Sequence, residues 1–243
     1  MTENEKKILL QDIFKAAIAY EKGVADRSLL IVTWDERARR FAAFKAEFPR
    51  SGFPHLIGLK AIKTSPEILF SAFINHKASL SSFDATKKSA FVEAKLNLIN
   101  GAGGYLDFIV NSALYGEFEK SDPDSILYTQ TMVGGEDGFM GFVYNKQFEA
   151  YVPNTVYTQG IERTTRRGCL PIVAVFAKPK SAKAYNEVLR LDKDARLADV
   201  LENLKGVFKF DGDLVKNESP ESETKLARPE CSPKTKKKRG KAR

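Results

Sequence analysis

Two hydrophobic periods divide this chain of 243 residues. Up to about Gly104 the apolar residues recur mainly at helical spacing, with short strands between. From Tyr105 to Phe176 the chain turns strand-rich. The order is helix, strands, a histidine-bearing segment, two helices, then an antiparallel β-rich half, which is an α+β pattern. The 17 phenylalanines and 8 tyrosines fit a mixed core rather than a coiled coil. No apolar run approaches the roughly 18 residues of a membrane helix. The charged start, Met1 to Lys7, does not read as a secretory signal.

The stripe Ile8, Leu9, Ile13, Phe14, Ala17, Ile18 and Tyr20 predicts a helix over Glu5 to Val24. Ser28 to Trp34 is apolar and β-branched and reads as a strand, with a second from Arg40 to Phe48. Thr64-Ser65-Pro66-Glu67 is a helix start. A further helix is expected to begin at Asp84-Ala85-Thr86, with Lys95 at the margin of its buried face. Asn100-Gly101-Ala102-Gly103-Gly104 follows a helix rather than a strand, so it reads as a helix stop and not a phosphate loop. Leu106 to Tyr115 is apolar with no clear period. Strands are expected over Ser125 to Val133, Phe139 to Tyr144, Phe148 to Val152 and Pro171 to Phe176. Ala182 to Leu191 and Leu197 to Leu204 read as short helices.

The net charge of +8 is uneven. Residues 213–243 carry ten Lys/Arg and five Asp/Glu, leaving the body at only +3. That tail has no aromatics and few aliphatics, so it reads as disordered. Its last ten residues hold seven positive charges, including Lys236, Lys237, Lys238 and Arg239. Such a segment binds phosphates without sequence preference. The ordered part is expected to be one domain over residues 1–212.

Two cysteines, Cys169 and Cys231, sit in different settings and give neither a disulfide nor a thiolate metal site. With only two histidines besides, no metal and no cofactor is expected, and a reducing cytoplasm is the default compartment. His55 lies in Gly52-Phe53-Pro54-His55-Leu56-Ile57-Gly58-Leu59-Lys60. There it reads either as a satisfied core histidine or as a proton-transfer group held by apolar neighbours. His76, at a helix end, reads as a cap.

Phe53-Pro54-His55-Leu56-Ile57-Gly58-Leu59 resembles the Phe-x-His-Leu-Thr-Gly motif of a phage- and mobile-element-associated branch of the barnase–EndoU–colicin–RelE-like nuclease superfamily. Ile57 stands where that motif has threonine. The likeness continues through Thr86, Lys95-Leu96, Gly141-Phe142, Tyr151-Val152-Pro153-Asn154-Thr155, and Ile172 to Lys178. It spans about residues 28–190. The resemblance implies an α+β fold: N-terminal and central helices on an antiparallel sheet of about four strands, with the basic tail disordered beyond it. It implies metal-independent endoribonuclease activity, toxin-like or serving conflict between mobile elements. RNA would be the substrate and a cognate inhibitor protein a partner, with no membrane involved.

Cleaving an RNA phosphodiester without metal needs a base for the 2′-hydroxyl, an acid for the leaving oxygen and cations around the phosphate. The resemblance places His55 as the proton-transfer group. Lys95 and Lys178 would neutralise phosphate, and Asn154 and Thr155 would orient it. Lys60, Arg163, Arg166 and Arg167 are RNA-binding candidates, with the tail cluster. Tyr128, Tyr144 and Tyr157 could stack bases. The rival reading is a catalytically inactive RNA- or protein-binding module of the same fold.

Overall fold

The structure, a computed structural model, describes residues 1–118, 129–165 and 168–216. Helix α1 (Glu3–Tyr20) opens with a capping box in which Thr2 accepts from the Glu5 amide and Glu5 returns to Thr2. A π-helical turn, Glu21–Ala25, carries it into strand β1 (Arg27–Asp35), which hairpins into β2 (Arg40–Glu47). A 3-10 turn, Arg50–Gly52, leads into the single helical turn α2 (Phe53–Leu56), which holds His55. Strand β3 (Leu59–Ala61) pairs with β4 (Phe83–Ala85) around helix α3 (Pro66–Ile74). Helices α4 (Ser89–Gly101) and α5 (Tyr105–Asn111) follow.

The β-rich half comprises β5 (Leu114–Glu117), β6 (Thr131–Gly134), β7 (Phe139–Asn145), β8 (Ala150–Tyr157), β9 (Leu170–Pro179) and β10 (Glu187–Leu191). Helices α6 (Leu197–Leu204) and α7 (Gly212–Lys216) end the described chain.

The helix-packed sheet of about four strands is not what forms. Among the described residues one sheet of 8 strands runs β1-β2-β8-β7-β6-β5-β9-β10, and β9 also pairs with β1. Seven strands therefore close into a barrel, with β10 sharing the β5 edge of β9. Closure needs one unlike pairing: β2 meets β8 in parallel through Ala46 and Tyr151, while every other pair is antiparallel. Aromatic rings fill the inside. Phe44 of β2 lies 5.6 Å from Tyr115 of β5, 5.8 Å from Phe142 of β7 and 5.4 Å from Tyr151 of β8. Strands β2 and β5 are not neighbours, so the first contact crosses the barrel.

The middle of strand β1, Leu29 to Val32, is apolar because both faces are covered. Leu29 and Ile31 join the main core, while Leu30 and Val32 join a second core under α6 with Phe176, Tyr185 and Val200. Two local expectations also fail. Asp84-Ala85 belongs to β4, and the helix starts at Ser89. Glu187–Leu191 is a strand, since its backbone completes the free edge of β9. His76 caps α3 as expected. It takes φ 56 after Asn75, with His76 N bonding Phe73 O and Lys77 N bonding Ala72 O, while its ring lies 4.4 Å from Phe14.

One aromatic cluster joins helices to barrel. The Tyr20 ring meets Phe48, Phe53, Phe70 and Tyr105 at 6.2, 5.4, 5.6 and 5.0 Å. Its hydroxyl donates to Pro49 O at 2.9 Å. The Tyr105 hydroxyl, equally buried, has no hydrogen-bond partner among the described residues. The two tyrosines should thus respond in opposite ways to loss of the oxygen. Tyr20→Phe is expected to cost about 1 kcal/mol, and Tyr105→Phe to be neutral or stabilising. Urea melts of the two variants check this, and equal losses would refute it.

Candidate functional site

His55 sits where the chain must leave a one-turn helix. Ile57 N bonds Phe53 O at 3.4 Å and Gly58 N bonds His55 O at 2.9 Å. Gly58 then takes φ +81, a left-handed conformation that suits glycine. Phe53, Leu56 and Ile57 are fully buried, so the three apolar anchors turn His55 outward. Arg50 clamps the turn from below: its guanidinium forks onto Glu21 at 2.9 and 2.7 Å and reaches Asp26 at 2.9 Å.

The turn's carbonyls are held by two side chains from the α4 region. Thr86 Oγ1 donates to Gly58 O at 3.0 Å, alongside the Thr86 amide at 2.8 Å. Lys95 Nζ donates to Leu56 O at 3.0 Å. A methyl group on Gly58 would lie 3.8 Å from Thr86 Oγ1 and 3.9 Å from Lys95 Nζ, so the glycine is the floor between them. Glu5 fastens the start of α4 by accepting from Ser89 Oγ at 2.6 Å. Lys6 fastens β4 by donating to Phe83 O at 2.6 Å.

Electrostatics follow from this packing. Burial, with Lys87 nearby, lowers the Lys95 ammonium from 10.5 to about 8. The His55 ring is exposed by area, yet protein around it and then Lys95 lower its pKa below the ordinary 6.5. His55 is therefore largely neutral at pH 7, the form that accepts a proton. Its ring makes no hydrogen bond to the described residues.

Ile57, which replaces the motif threonine, is 0% exposed within the main core. A hydroxyl there would face packing and not a ligand.

The other expected residues are spread more widely. Turn α2 packs against β8, which carries Asn154 and Thr155. Gly141 faces Thr155 and Phe142 faces Pro153, so Asn154 is the inserted residue of a β-bulge, with its Oδ1 buried. Thr155 points to the opposite face from core residue Val156. There its methyl would lie 2.9 Å from a side chain on Gly141, so Gly141 must stay small.

The Lys178 side chain engages neither His55 nor Lys95. Its Nζ donates to Ala182 O at 2.6 Å and lies 5.5 Å from the Tyr185 ring centroid. Burial, and then Lys45, lower its pKa. Nearby, the buried Glu47 pairs with Lys45 at 3.0 Å and approaches Lys180 at 3.9 Å. Lys60, on β3, and Arg163, in the 3-10 turn Ile161–Arg163, are exposed on separate elements. Arg166, Arg167, Tyr128 and Lys236 to Arg239 lie outside the described residues. A cleft of about 470 Å3 opens elsewhere, between α4, α5 and the β6–β7 turn. Its Glu136 and Asp137 would repel phosphate, and none of the expected site residues lines it.

The sequence reading missed Lys87. The pair Lys87-Lys88 ahead of Ser89 is a usable signal, masked in the sequence by the apparent helix start at Asp84.

Lys95 gives a testable linkage. Its folded pKa of about 8 lies below the unfolded value near 10.5, so the folded chain gives up the proton first. The cost of burying the charge is present in full below about 8, and stability rises with pH from there to about 10.5. Lys95→Met removes that charge. Its melting temperature relative to wild type should therefore fall as the pH is raised from about 7 to about 10. A gap that does not change with pH would refute the buried charge.

No curated protein and no solved structure matches the chain. A family model does: that of the phage-Barnase-EndoU-ColicinE5/D-RelE like nuclease 4 family, over residues 12–205. The match takes in α1 from residue 12 onward, the His55 turn, α4 and the whole barrel. The chain belongs to this nuclease-like family.

Proposed function

We propose that this protein is a metal-independent endoribonuclease whose centre is His55 with Lys95. The observation that carries the reading is the shared turn. One side chain able to accept a proton at neutral pH stands beside one ammonium, on a floor made of Gly58. Neutral His55 takes the proton of the 2′-hydroxyl. The 2′-oxygen attacks phosphorus, the bond to the 5′-oxygen breaks as that oxygen takes a proton from water, and a 2′,3′-cyclic phosphate and a 5′-hydroxyl are left. Lys95 and Lys87 balance the charge that gathers on the phosphate. Asn154, on the strand beneath α2, is within the same region and orients the substrate. Lys178 lies with Lys45 and Glu47, and serves RNA binding at longer range rather than the reacting phosphate.

The family's phage association supports a toxin-like role in conflict between mobile elements, in the cytoplasm and with a cognate inhibitor protein. Lys60, Arg163 and the basic tail add salt-sensitive affinity for RNA.

One observation favours the rival reading, a binding module without catalysis. No described side chain bonds the His55 ring, whereas a catalytic imidazole is usually oriented by a second group.

Incubating total RNA with wild type and His55→Ala in EDTA separates the two. The enzyme gives fragments with cyclic or 3′-phosphate ends, and the variant loses at least about 100-fold in rate. The rate should climb as His55 deprotonates below pH 6.5 and decline above about 8 as Lys95 loses its proton. Intact RNA with both proteins, together with salt-sensitive binding, would replace the enzyme by the module.

A further inference from the structure

We infer that Phe91 is a base-stacking platform, taking one unstacked base of a single-stranded RNA whose phosphate lies at Lys87 and Lys95. The inference rests on the RNase reading and names the form of its substrate.

Phe91 stands in the first turn of α4 and is 54% exposed. Phe53, Phe70, Phe73 and Phe83 on neighbouring elements are 0% exposed, so the chain does not lack room for buried rings. Lys87 Nζ lies 5.7 Å from the Phe91 ring centroid. Lys95 is one helical turn beyond Phe91, on the same face. Lys95 in turn feels the charge of Lys87 and acts on that of His55. A flat apolar ring thus sits beside a cation, on a helix whose next turn carries the lysine that acts on the proton-transfer group.

That combination is how single strands are gripped: bases stack on aromatic faces while cations follow the phosphates. A duplex keeps its bases stacked inside and presents none to Phe91. A surface cation–π contact is weaker than a base stack, so Lys87 yields the ring face and takes the adjoining phosphate. The other exposed apolar residues fit less well. The aliphatic ones have no planar face, Tyr157 is already stacked on Phe139 at 5.4 Å, and Tyr144 and Phe148 lie at the β7–β8 hairpin beside Lys45.

The test uses the full chain with His55→Ala, so that RNA survives. A labelled single strand of about 12 nucleotides is titrated in three forms: intact, with single abasic positions, and annealed as a duplex. Adding Phe91→Ala should weaken binding of the intact strand about tenfold. Phe91→Trp should retain it, and duplex binding should change about twofold or less. One abasic position should weaken the Phe91 protein and leave the Phe91→Ala protein unaffected. Equal affinity of the two for the intact strand, in folded protein, overturns the inference, as a site for a protein partner would. Equal loss on strand and duplex also overturns it. Cleavage by wild type is read in parallel. Cleavage with unaltered Phe91→Ala binding removes the platform and keeps the RNase; the reverse pattern keeps the platform and removes the RNase.

Discussion

Four rings close on Tyr20, each from a different part of the chain. Phe48 follows β2, Phe53 opens α2, Phe70 is in α3 and Tyr105 opens α5. The helical layer, the end of a barrel strand and the His55 turn therefore meet at one point. A large aromatic in such a core contributes about 3–5 kcal/mol through area and packing. The Tyr20 hydroxyl adds direction by bonding Pro49 O, which sets where the next turn begins. The Arg50 fork onto Glu21 then fixes that turn against the end of α1.

From this anchor the placing of His55 and Lys95 follows by geometry. With Phe53, Leu56 and Ile57 buried, His55 has only the outward direction left. With Gly58 left-handed, the carbonyls of the turn face Thr86 and Lys95. Lys95 is drawn into partly dry surroundings to reach one of them, and its proton becomes easier to lose. The same burial that positions the lysine thus tunes it, and the price is stability at neutral pH.

The site was partly legible. The His-Leu-x-Gly spacing marked His55, and the stripe of α4 placed Lys95 at the margin of a buried face; the two do share a turn. The resemblance gives Lys178 the same part as Lys95. Its side chain instead follows the outer face of the barrel, toward Tyr185. The bulge at Asn154 could not be read from Pro-Asn-Thr, because a bulge is defined by the partner strand's register. Phe91 reads as part of the apolar stripe of α4 and is instead 54% exposed, while Lys87 falls ahead of the helix because helix boundaries are set by backbone bonds that the β3–β4 pairing takes first.

Local physics settled which stretches are strands and helices wherever periods were long: α1, β1, the β7–β8 hairpin, β9 and α6. It also made β1 and β9 apolar on both faces, and so demanded cover on both. How that cover is supplied was decided only in three dimensions. Barrel closure depends on β1 pairing β9 across more than a hundred residues and on one parallel bridge, Ala46 to Tyr151. Strand β10 exists because β9 has an edge to fill. Alternation along a segment reports which residues share a face, but not which distant strand completes the ladder. Closure is set by the sum of pairings, and that sum belongs to the folded chain alone.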